Sequence, residues 1–185
     1  MDGHKRQREQ SARMIETALF ELMKEKDFAE ITVTEIVKRA DVSRRTFYRL
    51  YAGKEAVIDS YMDKICREYC STYPKLGEYD LGRIAQDYFT FWYQYKEFLL
   101  LMNRSGLCEK LYHRILCESE NVVRNRIGDA DIKGRSEVSF FALYSAGGFL
   151  ALLQHWVTEG MKEKPGQYAQ KVSKALLLFI KPVIE

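Results

Sequence analysis

Apolar residues return every three or four positions early in the chain, as Ile15, Ala18, Leu19, Leu22 and Met23, with charged residues between them. That is the helical period, and it predicts a helix from about Arg8 to Lys26 with one face to a core. Phe28 and Ile31 follow in a connecting turn. A second helix starts at Thr32, where TVTE has the form of a capping box, Thr32 as cap and Glu35 reaching back. Ile36, Val37 and Ala40 give it an apolar face. At about two turns it is too short to be stable alone. Asp41 and Val42 form a tight turn, since Asp tolerates left-handed backbone better than most residues. Ser43 then caps a third short helix, Arg44 to about Tyr51, with Phe47 and Leu50 toward the core. A fourth helix begins near Lys54 and runs to about Ser71.

Pro74 to Asp80 is a polar connector. Beyond it the pattern predicts helices at about 81–95, 97–105, 107–127, 136–160 and 166–182. Breaks fall at Asn103–Gly106, Gly128–Gly134 and Gly160–Gly166. With three prolines in 185 residues and 46% hydrophobic side chains, the chain reads as all-α with a real core. The expected division is residues 8–70 as a three-helix N-terminal module and residues 75–185 as a C-terminal helical bundle, the fourth helix shared between them.

Two short helices meeting at a tight turn behind a longer one form a helix-turn-helix. Its second member would put Arg44 and Arg45 where each can present a planar fork to guanine O6 and N7. Ser43 and Thr46 suit a phosphate or a base edge, and Tyr48, one turn on, a thymine methyl or a phosphate. Lys54 and Thr32, at helix starts, suit phosphates. Net charge adds little, because 29 basic against 26 acidic residues leave +3. The window Lys38 to Lys54 is more informative, with Lys38, Arg39, Arg44, Arg45, Arg49 and Lys54 against Asp41 alone. Spacing by itself fits a solvated basic face as well as a reading head.

The stretch ITVTEIVKRADVSRRTFYRLYAGKEAVIDSYM closely resembles the N-terminal module of TetR/AcrR-family transcriptional regulators. The matching places are Ala40, Asp41, Val42 and Ser43; Thr46, Phe47 and Tyr48; Tyr51; then Lys54, Glu55 and Val57. Asp41 stands where glycine is most often seen, and Leu50 where many relatives have histidine, so that histidine's contact is absent. The resemblance implies DNA binding, so Thr32, Ser43, Arg44, Arg45, Thr46, Tyr48 and Lys54 are the expected contacts to operator DNA, and because one head buries too little surface for tight binding, two are expected to act on a pseudo-palindrome.

The second half is less legible. YFTFWYQY, residues 88–95, holds six aromatics in eight positions. Tyr88, Phe91, Trp92, Tyr95 and Met102 share a helical face that suits either plain core or the wall of a pocket for a small apolar or aromatic effector. By resemblance, such a pocket lies among the middle helices of this half. No charged residue occurs from Val138 to Thr158, long enough to span a bilayer, but Ser139, Gln154, His155 and two glycines argue for a helix buried on most of its surface instead. Phe141, Tyr144, Gly148, Leu152 and His155, with Leu176 and Phe179 of the last helix, form an apolar stripe. It suits core packing or a homodimer interface, and the resemblance implies dimerisation through the last two long helices.

Cys66 and Cys70 stand one helical turn apart with no histidine to complete a metal set, and nothing marks Cys108 or Cys117 as reactive thiols. His113 and His155 lack evident ligand partners. No catalytic or metal-binding motif occurs, so no enzyme activity, metal or cofactor is expected. Four unpaired cysteine positions and a polar N-terminus suit a reducing cytoplasm. The expected function is a dimeric repressor released from its operator by a small effector. The alternative is a regulator, activators included, controlled by a protein partner and lacking a small-molecule pocket; a nucleoid-type DNA binder is a third reading.

Overall fold

The stripe Ile15, Ala18, Leu19, Leu22 and Met23 is buried throughout, on the inner face of helix α1 (Asp2–Glu25). The computed structural model describes residues 2–72, 81–117 and 136–180, and those residues form helices and turns without a strand. After α1 a short 3-10 turn (Phe28–Glu30) leads into α2 (Val33–Arg39), α3 (Arg44–Leu50) and α4 (Lys54–Thr72). The second half comprises α5 (Leu81–Tyr93), α6 (Lys96–Arg104), α7 (Cys108–Cys117), α8 (Ser136–Thr158) and α9 (Pro165–Ile180). The connector at 74–80, the break at 128–134 and the part of the expected 107–127 helix beyond Cys117 lie outside the described residues. At the other end, α1 begins at Asp2, six positions before the apolar period starts it.

The short helices are held by their ends and one buried face each. Thr32 and Glu35 form the expected capping box, and Ser43 Oγ accepts the Thr46 N–H at 3.0 Å. Such a cap contributes about 1 kcal/mol. Ile36 and Phe47 are fully buried, Val37 and Ala40 nearly so, and Leu50 is half-buried against the same core. Between the helices Asp41 has φ +51°, its N–H on Lys38 O and the Val42 N–H on Val37 O at 3.1 Å. That is the Schellman ending, which needs a left-handed residue just past the helix. α6 and α8 end the same way, with glycine there, Gly106 at φ +68° and Gly160 at φ +79°.

α1 packs on α2, α3, α4 and α6, while α4 contacts both α1 and α7. α8 lies on α6 and α7, and α9 packs chiefly on α5. One core runs through both halves. α6 also fastens to the end of α1: Arg104 donates to Met23 O, Lys24 pairs with Glu97 at 3.0 Å, and the rings of Phe20, Tyr61 and Phe98 meet with centroids 4.8–5.4 Å apart. Met23 O is among the last carbonyls of α1, which have no partner within the helix. α8 differs from the expectation of a helix buried on most of its surface. Leu150, Leu153, Trp156 and Val157 are buried, but Phe140, Leu143, Tyr144, Gly148, Ala151 and His155 are exposed. The helix is apolar on both sides, and the protomer covers only one. Among the described residues no helix is long and apolar enough to cross a membrane.

The Asp41 turn gives a direct test. A β-branched side chain is a poor fit at positive φ, so Asp41→Val should lower stability by about 1–2 kcal/mol, while Asp41→Gly should lose little or gain. Urea unfolding with unchanged m-values checks this; equal midpoints for both variants would contradict it.

Candidate nucleic-acid interface

α3 divides its residues cleanly between core and solvent. Phe47 is fully buried and meets the Tyr51 and Tyr48 rings at 6.0 and 5.5 Å. Arg44, Arg45, Arg49 and Tyr48, the last 51% exposed, point outward. Burying Phe47 contributes roughly 1.5–3 kcal/mol, enough to hold a seven-residue helix in one orientation. Ser43 Oγ and Thr46 Oγ1 lie 2.9 Å apart at its N-terminus. The Arg44 guanidinium reaches across the turn to Thr34 Oγ1 at 3.4 Å, a long contact that leaves most of its fork outward.

Arg39 belongs to the basic window in sequence but not in space. It forks onto Glu25 at 2.8 and 2.9 Å and lies 3.5 Å from Glu21, tying α2 to α1. The Arg39 hydrogen bonds hold the Glu25 carboxyl below its ordinary range. Thr32 is held as the expected cap. Its N–H and its hydroxyl both donate to Glu35 Oε2, at 2.9 and 2.8 Å. The bond from Lys26, then those from Thr32, bring the Glu35 carboxyl down to about 2. The Glu35 carboxylate thus sits at the helix start, with Thr32 as its capping partner.

Lys54 is engaged within the protein. Its ammonium donates to Phe28 O, Ala29 O and Ile31 O at 2.7, 2.9 and 2.8 Å, and sits 4.8 Å from the Phe28 ring centroid. An ammonium has three N–H donors, and all three go to one backbone turn. Lys54 thus fastens the α1–α2 connection to the start of α4.

Beneath this head Glu16 on α1, 9% exposed, accepts from the Tyr51 hydroxyl at 3.4 Å. Burial pushes the Glu16 carboxyl up, and burial followed by the Glu16 charge pushes the Tyr51 hydroxyl up to about 12. Neither Glu16 nor Arg39 carries a sequence signal for its partner, because both contacts join residues distant in the chain.

In the second half, Tyr88, Phe91, Trp92 and Met102 are buried and Tyr95 is half-buried. The rings pack against one another and Tyr69, with Tyr69–Phe91 at 5.0 Å, Phe91–Trp92 at 5.3 Å and Phe91–Tyr95 at 5.4 Å. Trp92 Nε1 is buried and finds no hydrogen-bond partner among the described residues. Of these five, Tyr95 lines a groove of about 450 Å³ where α1, α4 and α6 meet, beside Phe20, Tyr61 and Phe98. Of the α8–α9 stripe, Tyr144 (80%), Gly148 and His155 are exposed, Leu152 and Leu176 are half-buried, and the side chains of Phe141 and Phe179 lie outside the described residues. Phe140 (71%), Leu143, Leu177 and Leu178 (74%) are exposed apolar neighbours that the stripe as read omitted. For Phe140 the signal was present: Phe140, Tyr144, Gly148, Ala151 and His155 recur at steps of four and three. Among the described residues no group of histidine, cysteine and carboxylate side chains could hold a metal ion.

Comparison with known proteins agrees with this geometry. Residues 15–61 match the family model described as bacterial regulatory proteins, tetR family, and residues 80–177 that described as transcriptional regulator C-terminal region. The uncharacterized HTH-type transcriptional regulator YxbF of Bacillus subtilis (strain 168) is 22% identical over 171 residues, covering 89% of this chain and 44% of that protein. The chain therefore spans less than half the length of that relative. Among solved structures, the dihydroxyacetone kinase operon activator DhaS has a TM-score of 0.66 at 19% identity, over 92% of this chain and 96% of that one. A TetR transcriptional regulator from Streptococcus agalactiae 2603V has a TM-score of 0.59 at 18% identity, over 93% and 96%.

The Lys54 geometry separates fastening from phosphate binding. Lys54→Met should lower the stability of the head by about 1–3 kcal/mol, through carbonyls left without their donor. DNA affinity should fall with it while the salt dependence of binding keeps its slope. A slope reduced by about one unit at unchanged stability would instead make Lys54 a phosphate contact.

Proposed function

This chain belongs to the TetR family of bacterial regulatory proteins and is a DNA-binding transcriptional regulator, and we propose that it works as a homodimeric repressor released from a pseudo-palindromic operator by a small effector. The observation that carries the reading is the division of α3, with Phe47 fully buried and Arg44, Arg45 and Tyr48 exposed on the other side. A rigid short helix presenting two guanidinium forks suits the major groove, where arginine reads guanine. Ser43, Thr46 and Tyr48 then fix its register on the backbone.

One head buries too little surface for tight specific binding, so two act on successive major grooves roughly 34 Å apart. The exposed apolar side chains of α8 and α9, Phe140, Tyr144 and Leu178 foremost, support their pairing as the contact between copies. A C2 interface sets each such patch against its own copy. The buried Trp92 N–H supports an effector among the aromatic rings, since an acceptor on a ligand would satisfy it. Such a ligand acts only by its different affinity for the DNA-competent and released forms. The close ring packing around Phe91 supports the second reading, control by a protein partner, with the aromatics serving as core. The structural neighbour DhaS is named as an operon activator, which leaves that sign of regulation with the second reading.

Selection of binding sites from random DNA tests the reading head. Arg44→Ala and Arg45→Ala should each weaken specific binding by about 1–3 kcal/mol and relax one base position per half-site. An unchanged base preference in both variants would remove them from direct readout. Gly148→Glu tests assembly, because nothing lies within 4 Å of where its Cβ would stand in the protomer. The variant should keep its helicity, sediment as a monomer and lose operator affinity, since an unpaired charge is costly in an apolar contact. A dimer of undiminished stability would place the interface elsewhere.

A further inference from the structure

Arg44 and Arg45 are neighbours in the chain, but only one of them is held. Arg44 Nη1 donates to Thr34 Oγ1 at 3.4 Å, whereas Arg45 has no hydrogen bond or ion pair among the described residues. The tie joins the first residue of α3 to the second residue of α2. Both ends stand on fixed backbone. Beside Thr34, Glu35 receives the Thr32 N–H and hydroxyl and the Lys26 ammonium, which locks the first turn of α2. Before Arg44, Ser43 caps α3 by accepting the Thr46 N–H. Between the helices the left-handed Asp41 sets the angle at which α3 leaves α2. Two capped helix starts and one turn thus determine where the Thr34 hydroxyl and the Arg44 guanidinium meet.

The chemistry of the pair suits aiming more than folding. Threonine is branched at Cβ and has few χ1 rotamers, so its oxygen is a well-placed acceptor. A guanidinium carries five N–H donors in a planar fork, and a guanine edge takes two of them. The bond to Thr34 uses one, so it persists while the outer edge of the fork meets a base. Both side chains are exposed, where a single hydrogen bond adds little to stability. Its consequence falls on the side chain instead. A long side chain loses rotamer freedom when it is immobilised on a partner, and that loss opposes binding. Arg44 has given up part of this freedom within the protein, and Arg45 has not.

We infer that Thr34 is a positioning residue for base readout, aiming the Arg44 guanidinium from α2 through the hydroxyl and making no base contact of its own. The inference rests on Arg44 being a reading residue. It gives α2 a share in sequence preference at the one base position that Arg44 reads.

The experiment selects binding sites from random DNA with wild type, Thr34→Val, Thr34→Ser, Arg44→Ala and Thr34→Val/Arg44→Ala, and measures the affinity of each for the wild-type site and for a random-sequence duplex. Valine keeps the shape of threonine and removes the acceptor; serine keeps the acceptor. Thr34→Val should keep the wild-type melting temperature and random-duplex affinity, lose about two- to tenfold on the selected site, and relax only the base position that Arg44→Ala relaxes. Thr34→Ser should retain the wild-type preference. With Arg44→Ala already in place, Thr34→Val should cost nothing further. In the protein without DNA, nuclear spin relaxation of the arginine Nε–H groups should show Arg44 more restricted than Arg45 in wild type, and the two alike in Thr34→Val. An unchanged base preference in Arg44→Ala overturns the Arg44 reading and the role of Thr34 with it. A relaxed preference in Arg44→Ala beside a wild-type preference in Thr34→Val overturns the positioning role alone. A loss in Thr34→Val that is equal on both duplexes, or that persists beside Arg44→Ala, makes Thr34 a DNA contact in its own right and also overturns it.

Discussion

The reading head depends on the burial of Phe47. α2 and α3 have seven residues each, below the length at which a helix holds in water unaided. Their shape comes from outside: a capped start for each, a left-handed Asp41 between them, and one buried face apiece against α1. With Phe47 seated, the angle at which Arg44 and Arg45 leave the surface is fixed within the protein itself, and on the proposed reading little ordering is left to oppose binding. Three further fastenings close the frame: Lys54 on the 28–31 turn, Arg39 on the end of α1, and Tyr51 on Glu16.

The second half is braced against the same frame. α6 caps the end of α1 through Arg104, pairs Glu97 with Lys24, and closes a trio of rings with Phe20 and Tyr61. A displacement of α6 must carry α1 with it or break these contacts, and α1 carries α2 through Arg39. The aromatic face of α5 lies within the same continuous core as α6.

Local chemistry was legible in the sequence, and distant pairing was not. The capping box at Thr32, the cap at Ser43, the left-handed turn at Asp41 and the core roles of Ile15, Ile36 and Phe47 follow from spacing within a few residues. The family resemblance of residues 8–70 rests on the same spacings. Lys54 read as a phosphate contact because its helix-start position suits an anion, while the three carbonyls it holds in the structure lie 23 to 26 residues earlier. Arg39 counted toward the basic window until Glu25 claimed it. α8 looked buried because it lacks charge, yet hydrophobicity on both sides of a helix does not say whether its own chain or another copy covers the second side. The first turns of α1 carry no apolar period at all, so only the structure extends that helix to Asp2.

The central claim is that α3 is held in its reading conformation in the protein without DNA. Hydrogen exchange measured residue by residue decides it. The amides of Phe47, Tyr48, Arg49 and Tyr51, bonded within α3 and its end, should exchange as slowly as those of buried α1 residues such as Leu19, and DNA should change them little. Amides in α3 that exchange as fast as an unstructured chain until DNA is added would contradict the account, since the helix would then form on the DNA and not on Phe47.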